Sequence, residues 1–79
     1  MIMAKYDSGL SDKEIKSLVD MAKVYLNKRD KSYVVEFQDY NQSFATSNAG
    51  SEAEAIEMAI EWLKTIPESF VKSWVKTED

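Results

Sequence analysis

The chain has 79 residues, 44% of them hydrophobic, with no cysteine, no histidine and a formal net charge of −4. That is one small domain with a folding composition, without a disulfide framework, an imidazole base, a thiol nucleophile or a zinc site of the usual ligands. Charge is unevenly placed: residues 1–31 carry seven Lys/Arg against five Asp/Glu, residues 32–63 carry six acids and no Lys or Arg, and the remainder balances. An acidic middle argues against that stretch holding a phosphate backbone.

The first nine residues, MIMAKYDSG, lack the long apolar region and small-residue cleavage site of a signal peptide, and no apolar run is long enough to span a bilayer. A cytoplasmic protein without a membrane partner is expected. Residues 1–9 and 77–79 are expected to be flexible ends of a single domain over 1–79.

Ser11 and Glu14 form an S-x-x-E capping box, flanked by Leu10 and Ile15 at the hydrophobic-staple positions. Ile15, Leu18, Val19, Ala22, Tyr25 and Leu26 follow at helical spacing. One face of a first helix over residues 12–28 is predicted from them, with Lys13, Lys16, Asp20, Lys23 and Asn27 opposite. The NKRDK segment ends the pattern.

SYVVEFQD alternates: Tyr33, Val35 and Phe37 face one way, Val34, Glu36 and Gln38 the other. A turn at DYNQ and a return strand SFATS complete a hairpin. A two-residue Tyr40–Asn41 loop would set Phe37 opposite Phe44 and Val35 opposite Thr46.

Gly50 closes the hairpin, and Ser51 with Glu54 reads as a second capping box. Ile56, Ala59, Ile60 and Leu63 line one stripe of the next helix, widened by Ala55 and Trp62, while Glu54, Glu57 and Glu61 share the opposite side. Thr65 and Glu68 read as a third capping box around Pro67, opening a short last helix with Phe70, Val71, Trp74 and Val75. The fold class is therefore α+β, helix–β-hairpin–helix–helix (α-β-β-α-α). A two-stranded hairpin is marginal alone, so three helices must pack on it or a third strand must join. MIMAKY, as an extra N-terminal strand, or the hairpin edge of a second copy in a homodimer would complete it.

Function is read from what remains. Two glycines forty-one residues apart make no phosphate loop, and a domain this small has little room for the paired-carboxylate cleft that acid–base catalysis needs. No catalytic, cofactor-binding or metal-binding residue is assigned. Three carboxylates on a convex helix are a poor cation cage. Glu57 and Glu61 are like charges at i,i+4, a mild cost with no structural return. The acidic set Glu54, Glu57 and Glu61, with Glu36 and Asp39 from the hairpin, is the candidate contact for a protein with a basic surface. Tyr40, at the turn tip, is either an aromatic anchor of that contact or a residue leaning on its own hairpin. Trp62 and Trp74 sit at core spacing. The competing surface is basic: Lys13, Lys16, Lys23, Lys28, Arg29 and Lys31 on the first-helix side could hold nucleic acid. Asp12, Asp20 and Asp30 interrupt that surface, and arginine, the residue suited to bidentate readout, occurs once within it. A nucleic-acid-associated regulator or a structural dimerisation module are the alternatives to a protein-binding inhibitor.

Two resemblances accompany this reading. The helix–sheet–helix order ending in GSEAEAIEMAIEWL resembles the end of a double-stranded-RNA-binding domain, in which a Gly/Ser turn opens an Ala-rich helix. That family places lysines at the helix start, where this chain has Glu52, Ala53 and Glu54, and the predicted elements are one strand short of it. No RNA binding is implied. In length, absence of cysteine, element order and the acidic run YVVEFQDYNQSFATSNAGSEAEAIEMAIEWL, the chain resembles small phage-encoded inhibitors, including anti-CRISPR proteins. That resemblance implies a binding protein without cofactors that occludes a nucleic-acid-binding or catalytic surface of a host factor.

Overall fold

The computed structural model describes residues 6–40 and 42–74. The elements run α1 (Asp12–Asp20), β1 (Lys23–Asn27), β2 (Ser32–Phe37), a 3-10 turn (Gln38–Tyr40), β3 (Gln42–Thr46), α2 (Glu52–Thr65) and α3 (Glu68–Lys72). The class is α+β, with a three-stranded antiparallel sheet in the order β1-β2-β3. The sheet thus has one strand more than the sequence pattern suggested. Of the alternative strand MIMAKY, residues 1–5 lie outside the described residues, and Tyr6 is in no strand.

The third strand comes from the second half of the predicted first helix. The Ser11–Glu14 capping box forms as expected, with Glu14 N–H on Ser11 Oγ at 3.2 Å and Ser11 N–H on Glu14 Oε1 at 2.9 Å. The helix then stops at Asp20, capped by Met21, without a glycine to mark the end. Val24, Tyr25 and Leu26 fit both a helical stripe and a pleat, and periodicity alone does not separate the two in so short a run. Pairing with β2 decides it: Val24 lies opposite Val35 and Leu26 opposite Tyr33. Leu26, expected on the buried helix face, is 44% exposed at the sheet edge.

The β1–β2 turn is held by Asn27, whose side-chain oxygen accepts the Arg29 N–H at 3.0 Å and the Asp30 N–H at 3.4 Å. Lys31 closes it with φ at +55°, in the left-handed region that an L side chain enters at a cost. Across β2–β3 the register is Val35 opposite Phe44 and Tyr33 opposite Thr46. This differs by two residues from the expected pairing because the connection spans residues 38–41 rather than two. An even shift keeps every side chain on its expected face.

Helices α1 and α2 lie on the same face of the sheet. Ile15 from α1 and Ala55, Ala59 and Leu63 from α2 join Val35 and Phe37 in the core, with Leu10, Ile66 and Trp74 at its margin. Two alanines in the middle of that stripe let the α2 backbone approach β2 closely. Ile66 leaves the helix with extended backbone (ψ 150°), as a residue before proline must. The chain then turns into α3. The third capping box does not form: Thr65 ends α2 with its hydroxyl on the carbonyls of Glu61 and Trp62, and Pro67 is the cap of α3, without a side-chain bond. At that end Phe37, Trp62 and Trp74 stack with centroids 6.1–6.4 Å apart, and Phe70 stands edge-on to Trp74 at 5.6 Å. Such pairs are worth about 0.5–1.5 kcal/mol each beyond their burial. Trp62 and Trp74 are thus core-edge and core residues, as their spacing predicted.

Residues 6–10 form a packed turn. Tyr6 donates its hydroxyl to Asp12, Lys64 lies over the Tyr6 ring at 5.1 Å, and Ser8 is buried. Gly9 has φ +79°, and a Cβ there would come within 2.8 Å of Glu68 Oε2.

Candidate functional site

The outer face of α2 carries the predicted acids. Glu54, Glu57 and Glu61 are all exposed, two helical turns end to end, on the side away from the sheet. Their circumstances differ. Ser51 accepts the Glu54 N–H at 3.2 Å, but the Glu54 carboxylate reaches past Ser51 to the Gly50 N–H at 2.6 Å. The second capping box is therefore shifted by one residue: the carboxylate satisfies an amide of the incoming loop rather than that of the cap. Glu54 is in part a folding residue, and with Glu52 it faces the positive end of the α2 dipole.

Glu61 receives Lys64 Nζ at 3.2 Å, an i,i+3 pair with Glu61 71% exposed. The hydrogen bond to Glu61 is the main cause of the raised Lys64 pKa, opposed by partial burial of the amine. An exposed pair of this kind contributes little to stability. Glu57 stands between them. Among the described residues it has no hydrogen bond or ion pair, and its helical neighbours at i−3 and i+4 are Glu54 and Glu61. Among the described residues, no three carboxylates converge as a metal-binding group.

The hairpin acids lie elsewhere. Glu36 alternates with Val35 and Phe37, which face the helices, so Glu36 projects from the opposite, uncovered face of the sheet. There it accepts the Tyr25 hydroxyl at 3.1 Å. That hydrogen bond, with burial and the Glu36 charge adding to it, raises the Tyr25 pKa. Asp39 and Tyr40 belong to the 3-10 turn at the aromatic end of the molecule. The Tyr40 ring is half-buried, 5.7 Å from that of Trp74. It leans on Trp74, just past α3, rather than standing free, and with Leu10, Glu14, Ser17, Leu18, Val71 and Trp74 it lines a cleft of about 420 Å³ of mixed polar and apolar character. The acidic set is thus three groups in three places: the outer face of α2, the open face of the sheet, and the turn. Only Glu54, Glu57 and Glu61 form one surface.

The basic set is divided as well, because the long helix expected to carry it does not exist. Lys13 and Lys16 are on α1, and Lys16 pairs with Asp20 at 2.8 Å. Lys23 is on the open sheet face, 5.8 Å from the centre of the Tyr25 ring. Lys28, Arg29 and Lys31 are exposed on the β1–β2 turn. No single helix face presents all six.

Sequence reasoning missed the apolar residues left outside. Met21 is 54% exposed and Phe70 40%. The signal for Met21 was the helix end, which no glycine or proline marked.

Comparison with described protein families, with curated proteins and with solved structures gives no match for this chain. None of the described helices is long and apolar enough to cross a membrane.

Proposed function

We propose that the chain is a non-enzymatic protein-binding module, a small acidic inhibitor of the kind phages and mobile elements use against host defence. In this reading it acts in the cytoplasm, without a cofactor. It blocks a nucleic-acid-binding or catalytic surface on its target by laying the outer face of α2 against basic side chains. The observation that carries the reading is Glu57: an exposed carboxylate with no described partner, set between two further carboxylates on one helix face. Repulsion along that face is unrelieved apart from Lys64 and returns nothing to the fold. A basic partner surface would turn it into attraction, chiefly as association rate and specificity. Glu36 and Asp39 are not part of the primary contact in this arrangement, and Tyr40 contributes only at the aromatic end.

The experiment is capture of the target with the intact chain, followed by titration of the purified target with the wild type and with Glu57→Lys/Glu61→Lys. Loss of binding on charge reversal, with binding retained in Lys28→Glu/Arg29→Glu, supports the assignment. Unchanged affinity in the α2 variant overturns it.

A second reading rests on the β1–β2 turn, where Lys28, Arg29 and Lys31 are gathered on one exposed loop. A nucleic-acid-associated regulator would use that loop, and α1 would add Lys13 and Lys16. Retardation of DNA or RNA at low salt, lost in Lys28→Glu/Arg29→Glu, is its test; no retardation at low salt removes it.

A further inference from the structure

α2 carries a single cation, Lys64, at one end of the acidic face. Its amine is 3.2 Å from Glu61 Oε2, yet the lysine side chain is 28% exposed against 71% for the glutamate. The same amine lies over the Tyr6 ring, 5.1 Å from its centre. The Tyr6 hydroxyl donates to Asp12, and Asp12 and Lys64 line one groove between α1 and α2. Lys64 therefore stands between two seats. One is the Glu61 carboxylate on its own helix. The other is the electron-rich face of Tyr6, with the Asp12 carboxylate at the hydroxyl end of that ring. The hydrogen bond to Glu61 does most to raise the Lys64 pKa, and the Asp12 charge adds to the rise. An ammonium has three donors, so it can lean toward either seat without a change of helix geometry.

We propose that Lys64 is a movable guard of the acidic face: it covers Glu61 in the free chain and withdraws onto Tyr6, beside Asp12, when a basic side chain of a partner takes Glu61. This rests on the reading that the outer face of α2 meets a basic surface, and it gives the turn of residues 6–10 a part in that contact. Without a second seat, a partner's cation at Glu61 would leave a half-buried lysine without a counter-charge, which is costly. Here the second seat already touches the amine, so the exchange keeps Lys64 held. The guard also sets specificity. A neutral or acidic surface leaves Lys64 on Glu61, and that end of the face then offers no net charge. Glu57 needs no such release, because it has no partner among the described residues.

Proton NMR of the intact chain tests the guard. Lys64 methylene protons beside the amine lie over an aromatic face and should resonate upfield of those of the other lysines. Glu61→Gln removes the first seat and should deepen that upfield shift, whereas Tyr6→Leu should abolish it. A tetra-arginine peptide, used as a basic probe, should shift the Glu57 and Glu61 amides and drive the wild-type Lys64 resonance further upfield. Tyr6→Leu should bind this probe about two- to fivefold more weakly, the range of one exposed ion pair. A Lys64 resonance that does not move in Glu61→Gln overturns the proposal. So does a probe that fails to shift the α2 amides, or shifts them and leaves Lys64 in place. Glu61 is exposed, so the Glu61→Gln measurement stands even if Tyr6→Leu folds poorly. The inhibitory reading is judged separately, by the captured target and the Glu57→Lys/Glu61→Lys variant.

Discussion

Glu57→Lys separates the fold from the proposed contact, because it should strengthen one and abolish the other. In α2, Glu57 faces Glu54 at i−3 and Glu61 at i+4. A like-charge pair at these spacings costs about 0.2–0.5 kcal/mol and an opposite pair returns a similar amount, so each pair swings by about 0.4–1 kcal/mol on reversal. The sum is then discounted. Glu54 is already occupied by the Gly50 N–H and Glu61 by Lys64. Lysine placed before glutamate is also the weaker orientation, so about 0.5–1 kcal/mol should remain at low salt. With an unfolding entropy of ~2.1 cal/mol/K per residue and 79 residues, that gain raises Tm by about 3–6 °C. In 1 M salt the Debye length falls to about 3 Å and most of the gain should vanish. Thermal unfolding followed by circular dichroism at low and high salt measures it, with Glu57→Gln as an intermediate. A fall in Tm at low salt would refute the reasoning, since Glu57 would then be held by a favourable interaction and its free charge would need no partner to explain it.

The other predictions concern the fold that carries this face. Lys31→Gly should raise stability by about 0.5–1 kcal/mol, the left-handed cost removed less the entropy of glycine; an unchanged or lower urea midpoint contradicts the turn geometry. Leu63→Ala should cost about 2–5 kcal/mol by leaving a cavity, against about 0.5 kcal/mol or less for Met21→Ala; near-equal urea midpoints would show that Leu63 is not at the centre of the core. Tyr25→Phe tests the open sheet face through pH. The Tyr25 pKa is raised in the fold, so its stabilising bond to Glu36 is fully present below the ordinary tyrosine pKa of about 10 and is lost as pH rises through the higher folded-state value. The stability difference between wild type and Tyr25→Phe should therefore be constant near neutrality and shrink in strong alkali; a difference that persists there sinks the assignment.

Much of the architecture was legible because short-range chemistry decides it. The Ser11 cap, the inward set Tyr33–Val35–Phe37 and the Ala59–Leu63 part of the α2 stripe follow from side-chain spacing, and spacing survives the two-residue register shift across β2–β3; the stripe itself is turned toward Ala55, which is buried, and away from Ile56 and Ile60, which are half-buried. The candidate site was legible only in part. Glu54, Glu57 and Glu61 share a face because one helix period puts them there. Glu36 looked like their neighbour because charge along the sequence ignores which side of a pleat a residue takes.

Residues 23–27 mark the boundary between the two kinds of information. By themselves they satisfy a helix and a strand equally, and the difference between the two is smaller than the gain from filling the open edge of β2. The sequence by itself determined the α+β class, the first turns of α1 and α2, the buried faces of β2 and α2, and the three acids on the outer side of α2. The tertiary structure decided the third strand, which acids stand together, and which apolar side chains remain in water. Those depend on what lies across a sheet or beneath a helix, and no local pattern encodes a neighbour distant in the chain.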